Sequence, residues 1–116
     1  MKNFRIALAL ALLLLAARSG IASAHPPKEI SLSWDPGGNL TVNVAHSVND
    51  PQKHYVSKII VYVNDKIVAQ KEYASQTSGE ALSDTFDLGA LPAGTKVKAE
   101  AFCVIMGSVT GAITVQ

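Results

Sequence analysis

The chain after residue 24 consists of short β-rich runs separated by turn residues, and this pattern most constrains its fold. Runs rich in Val, Ile, Thr and aromatic residues are typical of strands, and no useful helical periodicity interrupts them. Strands are predicted at residues 29–34, 39–46, 55–63, 66–73, 80–87, 96–104 and 111–116. Seven short strands in about 92 residues predict an all-β fold, an immunoglobulin-like β-sandwich.

The turn sequences support this division. Asp-Pro-Gly-Gly at residues 35–38 is a turn between the first two strands. Asn64 and Asp65 form a two-residue link between two runs, which is typical of a tight hairpin. Leu-Pro-Ala-Gly at residues 91–94 turns the chain before the sixth strand. No internal repeat or linker interrupts the series, so one domain is predicted.

The start of the chain has the layout of a secretory signal peptide. Lys2 and Arg5 give it a positive charge, and residues 6–17 are twelve apolar residues, too short a run to span a bilayer comfortably. Small residues at Ala22 and Ala24 occupy the two positions that signal peptidase reads. We therefore predict cleavage after Ala24, with an uncleaved anchor helix as the alternative.

This cleavage divides the chain into a signal peptide at residues 1–24 and a domain at residues 25–116. The protein is then expected to be exported, periplasmic or secreted, with no stable membrane anchor after cleavage. The domain carries seven lysines, no arginine and nine acidic residues, a formal charge of about −2. A basic surface for nucleic acid is therefore excluded.

Strand parity directs one histidine and the only cysteine toward the interior. Successive side chains alternate between the two faces of a strand. Residues 40, 42 and 44 are apolar and share a face with His46, and residues 97, 99 and 101 share a face with Cys103. Both residues stand at strand ends, so we expect them to meet at one rim of the sandwich. A single cysteine excludes an internal disulfide, and an unpaired thiol in an exported protein usually needs burial or a role such as metal ligation.

Few side chains of the domain bind soft or borderline metal ions. His46 and His54 flank a loop that can fold their imidazoles toward one point. Cys103 and Met106 are three residues apart at a strand end, so both sulfurs can face one centre. Cleavage after residue 24 would make His25 the first residue, whose free amine and imidazole together chelate copper or another divalent ion.

Two segments resemble one known family. Residues 45–56, AHSVNDPQKHYV, followed by IIVY at residues 59–62, are similar to the histidine loop of superoxide reductases. That family is also called the desulfoferrodoxin iron-binding domain, or neelaredoxin. Residues 98–107, KAEAFCVIMG, resemble its ending, where Ala-x-Cys-Asn-x-His-Gly is typical. The resemblance extends roughly from residue 39 to residue 111, and it implies an immunoglobulin-like sandwich.

The resemblance also implies a metal site. The family holds a ferrous iron between four histidine nitrogens and one axial cysteine sulfur. His46 and His54 match the two loop histidines, Cys103 matches the axial thiolate, and His25 precedes the first strand as the family's first histidine does. Met106 occupies the position of the fourth histidine.

The function implied is one-electron reduction of superoxide to peroxide, with iron (Fe2+/Fe3+) as the cofactor. The partners implied are superoxide and an unknown electron donor, and oligomers are common among such exposed iron sites. Lys53, beside His54, is placed as a superoxide-attracting lysine would be, and it is the candidate catalytic residue.

Two alternatives remain open at this point. A thioether in place of an imidazole favours copper, because His, Cys and Met together form a soft ligand set. The second hypothesis is accordingly a periplasmic domain that binds or handles copper. The third is a partner-binding sandwich without metal, like the small sulfur-oxidation carrier proteins.

Overall fold

A computed structural model describes residues 25–116 of the chain, which form seven strands. The strands are β1 (Glu29–Asp35), β2 (Asn39–Ala45), β3 (Val56–Val63), β4 (Lys66–Glu72), β5 (Ala81–Asp87), β6 (Lys96–Cys103) and β7 (Ser108–Thr114). The predicted signal peptide lies outside the described residues. Between residues 25 and 116, no helix is long and apolar enough to cross a membrane.

The strands form two antiparallel sheets, one in the order β1-β2-β5 and the other in the order β4-β3-β6-β7. The predicted immunoglobulin-like sandwich is therefore confirmed. Six predicted strands agree with the structure to within one residue at each end. The seventh, predicted at residues 111–116, is wrong in its bounds, because β7 begins three residues earlier and ends two earlier.

Gly111 is predicted as the first residue of the seventh strand, but it lies in the middle of β7, opposite Ala99 of β6. A Cβ at this position would come within 2.8 Å of Cγ2 of Ile30 on β1. The glycine therefore permits a close approach of the two edge strands, which is a packing requirement rather than a turn.

The core lies between the sheets and follows the predicted alternation. On β6, burial alternates along the strand and includes Cys103 at its end, which is 7% exposed. On β2, the alternating buried residues lead to His46, which is 1% exposed. The fully or almost fully buried apolar set is Leu40, Val42, Val44, Val56, Ile59, Val61, Leu82, Phe86, Val97, Ala99, Ala101 and Val115.

Pairing registers bring the ends of four strands to one rim of the sandwich. Glu29 at the start of β1 is opposite Ala45 at the end of β2, and Val56 at the start of β3 is opposite Cys103 at the end of β6. The β3–β6 register shifts between Val56 and Lys58, which is a bulge directly beside this rim. Bulges re-aim neighbouring side chains, and they are common next to functional sites.

Candidate metal centre

Three imidazoles converge at this rim. One ring nitrogen from each of His25, His46 and His54 lies within 4.8 Å of the others. The ring centroids are 5.2 Å apart for His25 and His46, 4.9 Å for His25 and His54, and 4.7 Å for His46 and His54. We call these three residues the imidazole cluster. Three neutral imidazoles this close present three lone-pair donors to one point.

Residues 25–28, which precede β1 and are called the N-terminal segment, carry His25 to the cluster. The Lys28 N–H donates to the Ala45 carbonyl at 2.8 Å, which extends the β1–β2 ladder toward His46. The Nδ1 of His25 lies 3.2 Å from the Pro26 carbonyl, which can only accept a hydrogen bond. A surface depression of about 500 Å³ is lined by residues 25–28 and Ser47, so small molecules can reach this side of the cluster.

A tight turn between β2 and β3 brings His54 back to His46. The backbone N–H of His54 donates to the Asp50 carbonyl at 2.9 Å, and that of Lys53 donates to the same carbonyl at 3.1 Å. The Asp50 side chain accepts from the Gln52 N–H at 3.0 Å, which is the local hydrogen bond that favours aspartate in turns. The turn therefore brings the rings of His46 and His54, eight residues apart in the sequence, into contact.

Cys103 contacts the imidazole cluster at His54. Its Sγ lies 3.1 Å from Nε2 of His54 and accepts a hydrogen bond from the Ile105 N–H at 3.4 Å. The loop after Cys103, residues 104–107, is called the cysteine loop. The Val104 N–H donates to the Tyr55 carbonyl at 2.9 Å, which ties the cysteine loop to the histidine loop. Among residues 25–116, the ligand atoms mutually within 4.8 Å are those of the three imidazoles alone, so the thiol lies at the margin of the group.

Gly107 packs the cysteine loop against the N-terminal segment. Its φ is +80°, and a Cβ there would come within 2.5 Å of the Pro26 Cβ. Its carbonyl also accepts from the Cys103 N–H at 3.0 Å. Glycine is the residue that tolerates both the backbone angle and the close approach.

His46 is held from behind by Gln76. Its Nδ1 is hydrogen-bonded to Oε1 of the Gln76 side chain, which is itself 7% exposed. Its Nε2 is buried and has no hydrogen-bond partner among residues 25–116. An orphaned buried nitrogen is costly in a folded protein and calls for a ligand or another explanation. Gln76 is absent from the sequence-based predictions, since a lone glutamine in a polar loop carries no spacing signal.

The pKa of His54 lies below its ordinary value. Burial disfavours the charged imidazole, and the charges of protonated His46 and His25 act in the same direction, whereas a hydrogen bond to the His25 backbone opposes them. The surroundings of His54 therefore favour its neutral imidazole, which is the form that binds metal.

The donor set fits a metal ion. The cluster supplies three imidazoles and the rim a sulfur, and the Nε2 of one of these imidazoles, His46, is buried without a partner among residues 25–116.

Comparison with known proteins places the fold. No family model and no curated protein matches the chain. The superoxide reductase (neelaredoxin) of Archaeoglobus fulgidus in the reduced form has a similar structure, with a TM-score of 0.53 and 19% identity over 79% of this chain and 89% of that one. The chain has the superoxide reductase fold. A single-residue variant of that protein gives a TM-score of 0.51 and 20% identity, over 81% of this chain and 90% of that one.

Two predicted site residues lie on the surface of this superoxide reductase fold. Met106 lies in the loop that follows Cys103, between β6 and β7, and is 49% exposed. Lys53 is exposed in the turn that precedes His54. The structure thus brings His25, His46 and His54 together, places Cys103 against His54, and leaves the other two side chains in contact with solvent.

Proposed function

We propose that the protein binds one iron ion through His25, His46, His54 and Cys103 and reduces superoxide to hydrogen peroxide. The observation that carries the proposal is the buried Nε2 of His46, which has no partner among the described residues although its ring lies beside two further imidazoles. The chain shares its fold with superoxide reductase structures, and this likeness supports the proposed metal at the rim. We also propose that the protein is exported and receives its electron from an external donor.

The proposed reaction consumes one superoxide, one electron and two protons, and it yields one hydrogen peroxide. Bound iron supplies the one-electron redox chemistry, since it is stable as Fe2+ and Fe3+. The imidazoles would hold the ion, and Cys103, bound as a thiolate, would supply electron density that favours electron transfer to superoxide. The N–H of Ile105 holds this sulfur in place.

Lys53 is the residue that we propose attracts the anionic substrate. It is exposed and lies in the turn that orients His54. A positive charge beside an open site raises the encounter rate of an anion, and the effect weakens as salt is added. Its role is therefore electrostatic, with no bond to metal or substrate required.

The experiment is anaerobic ferrous loading of the protein purified from cells that express the full chain. We expect about one iron per chain and, after oxidation, a thiolate-to-iron charge-transfer band that Cys103→Ser removes. Reduction of superoxide should yield one peroxide per superoxide, whereas dismutation yields one per two. Protein that remains iron-free and colourless after loading would reject the proposal and favour a partner-binding module without metal.

Copper is the second candidate metal. Imidazoles and a thiolate also suit copper, and Met106, half exposed three residues after Cys103, is a further soft donor near the same strand end. Competition between cuprous, cupric and ferrous ions separates the two candidates. If His25 is the mature N-terminus, one residue added before it should lower copper affinity. Mass spectrometry of the purified protein shows whether cleavage follows Ala24.

A further inference from the structure

We propose that Gln76 is a positioning residue that locks His46 in the tautomer whose Nε2 is free to bind a metal. Gln76 lies in the loop between β4 and β5, thirty residues from His46 in the sequence. The role of Gln76 in metal binding rests on the proposed function. The tautomer itself is a property of the metal-free protein.

The hydrogen bonds of Gln76 fix the orientation of its side-chain amide. Nε2 of Gln76 donates to the His46 carbonyl at 2.9 Å and to the Ser78 carbonyl at 3.1 Å. Oε1 accepts from the Val56 N–H at 3.0 Å. A flipped amide would set its NH2 group against an N–H and its oxygen against two carbonyls, so all three bonds would be lost.

The orientation of the amide determines the tautomer of His46. Oε1 is an acceptor only, so the Nδ1 of His46 that contacts it must carry the proton. In a neutral imidazole one nitrogen is protonated and the other has a lone pair. The lone pair is therefore on Nε2, the buried atom that has no partner in the described part of the chain.

Gln76 also joins the segments that shape the rim. Its backbone N–H donates to the Pro51 carbonyl at 3.0 Å, and its side chain contacts the start of β3 at Val56. One residue thus bonds the backbone of the histidine loop at three points, Pro51, Val56 and His46, and the ring of His46 at a fourth. Residues that orient a ligand histidine in this way typically account for a 10–100-fold difference in metal affinity, as an order of magnitude.

The test reads the tautomer of His46 by 15N NMR in metal-free protein, at an alkaline pH where imidazoles are neutral. We expect the Nδ1–H tautomer in the wild type. In Gln76→Met the acceptor is absent, so the Nε2–H tautomer should become populated and ferrous affinity should fall about 10–100-fold. Gln76→Glu keeps an acceptor oxygen for Nδ1, so it should retain the Nδ1–H tautomer. Its second oxygen cannot donate to the His46 and Ser78 carbonyls, so its ferrous affinity should lie between those of Gln76→Met and the wild type.

Tyr73→Phe is the matched control. It removes the hydroxyl that donates to Asp84 at 2.6 Å, near the same loop, and makes no change at His46. It should lower stability while leaving the tautomer and the metal affinity as in the wild type. If the affinity falls equally in Tyr73→Phe and in Gln76→Met, loss of stability explains both and the inference is overturned.

The outcomes separate this inference from the proposed function. An Nε2–H tautomer in the wild type overturns the inference even if iron binds. An Nδ1–H tautomer in a protein that binds no metal supports the locking of His46 and rejects the proposed function. The wild-type measurement suffices for this distinction even if a Gln76 variant fails to fold.

Discussion

The Nε2 of His54 lies 3.1 Å from the Sγ of Cys103, although 49 positions separate the two residues in the chain. The contact follows from the pairing of β3 with β6, which sets Val56 opposite Cys103 at the rim. The bulge after Val56 and the turn at Asp50 then direct the imidazole toward the sulfur. A hairpin-like turn and a strand register thereby join the two kinds of donor that the proposed metal needs.

Replacing Cys103 by serine tests the sulfur ligand. A hydroxyl is a poor substitute for a thiolate on a borderline metal, so we expect ferrous affinity to fall by more than about 100-fold, a larger loss than an outer hydrogen-bond partner causes. Metal titration with a competing chelator measures the change. Ser57→Ala is the control, because it removes a hydroxyl bonded to the Phe102 carbonyl near the rim without touching the ligands. Equal affinities in wild type and Cys103→Ser would exclude sulfur ligation.

Acid should destabilise the metal-free protein through His54. Burial, followed by the charges of His46 and His25, lowers the pKa of this residue in the folded state, so the unfolded chain binds the proton more readily. The free energy of unfolding should therefore fall as the pH drops below the unfolded histidine value of about 6.5, toward the lower folded pKa. Urea denaturation over this range measures the slope, which His54→Gln should reduce.

Acid should also release the metal, since bound imidazoles must be neutral and the thiol ionised. We expect the metal content after dialysis to fall as the pH drops below the histidine range of about 6 to 7. A metal content unchanged at about pH 4 would contradict a ligand set of imidazoles and thiolate.

Gly107→Ala tests whether the N-terminal segment positions His25. The substitution strains a backbone with a φ of +80° and sets a Cβ against Pro26, so it should cost about 1–3 kcal/mol and weaken metal binding. Gly94→Ala is the matched control, because Gly94 has a φ of +91° with nothing within 4 Å of its added Cβ. Calorimetry and metal titration of both variants separate backbone strain from the Pro26 contact. A metal affinity that falls no further in Gly107→Ala than in the control would show that the contact is dispensable.

Tyr73→Phe tests how the β4 and β5 edges of the sandwich are joined. The Tyr73 hydroxyl and the Lys71 ammonium both donate to the Asp84 carboxylate. Burial of Asp84 opposes its ionisation. The hydrogen bonds from Tyr73, the Thr85 N–H and Lys71 outweigh burial, so the pKa of Asp84 lies below its usual value. Losing the hydroxyl should cost about 1.5–3 kcal/mol at neutral pH. This stabilisation is present above the unfolded aspartate pKa of about 3.9 and is lost as the pH falls through the folded value, so the two proteins should converge in acid. A constant difference across that range would contradict the role of Asp84.

The strands and the inward faces of β2 and β6 follow from the sequence because they depend on local alternation. Residues along one strand reveal that His46 and Cys103 point inward, whatever the rest of the fold. The Asn64–Asp65 link is likewise local, and both residues adopt the positive φ angles, 48° and 68°, of a tight hairpin turn.

Features that depend on contacts between distant segments are not readable in this way. Gln76 acts on His46 only because the fold brings its loop behind the ring, and nothing in its neighbours marks it. Gly107 meets Pro26, and Gly111 meets Ile30, across the gap between edge segments, and no local sequence pattern predicts either close approach. The sequence therefore predicts which side chains could bind a metal, whereas the residues that hold them in place are recognised only in the folded structure.

X-ray absorption at the iron edge tests most directly whether these side chains gather around one ion. The ferrous-loaded protein, purified from cells expressing the full chain, should show one sulfur neighbour together with a shell of imidazole nitrogens, and Cys103→Ser should lose the sulfur. A stoichiometrically loaded protein whose iron has only light-atom neighbours, unchanged by that substitution, would contradict the account.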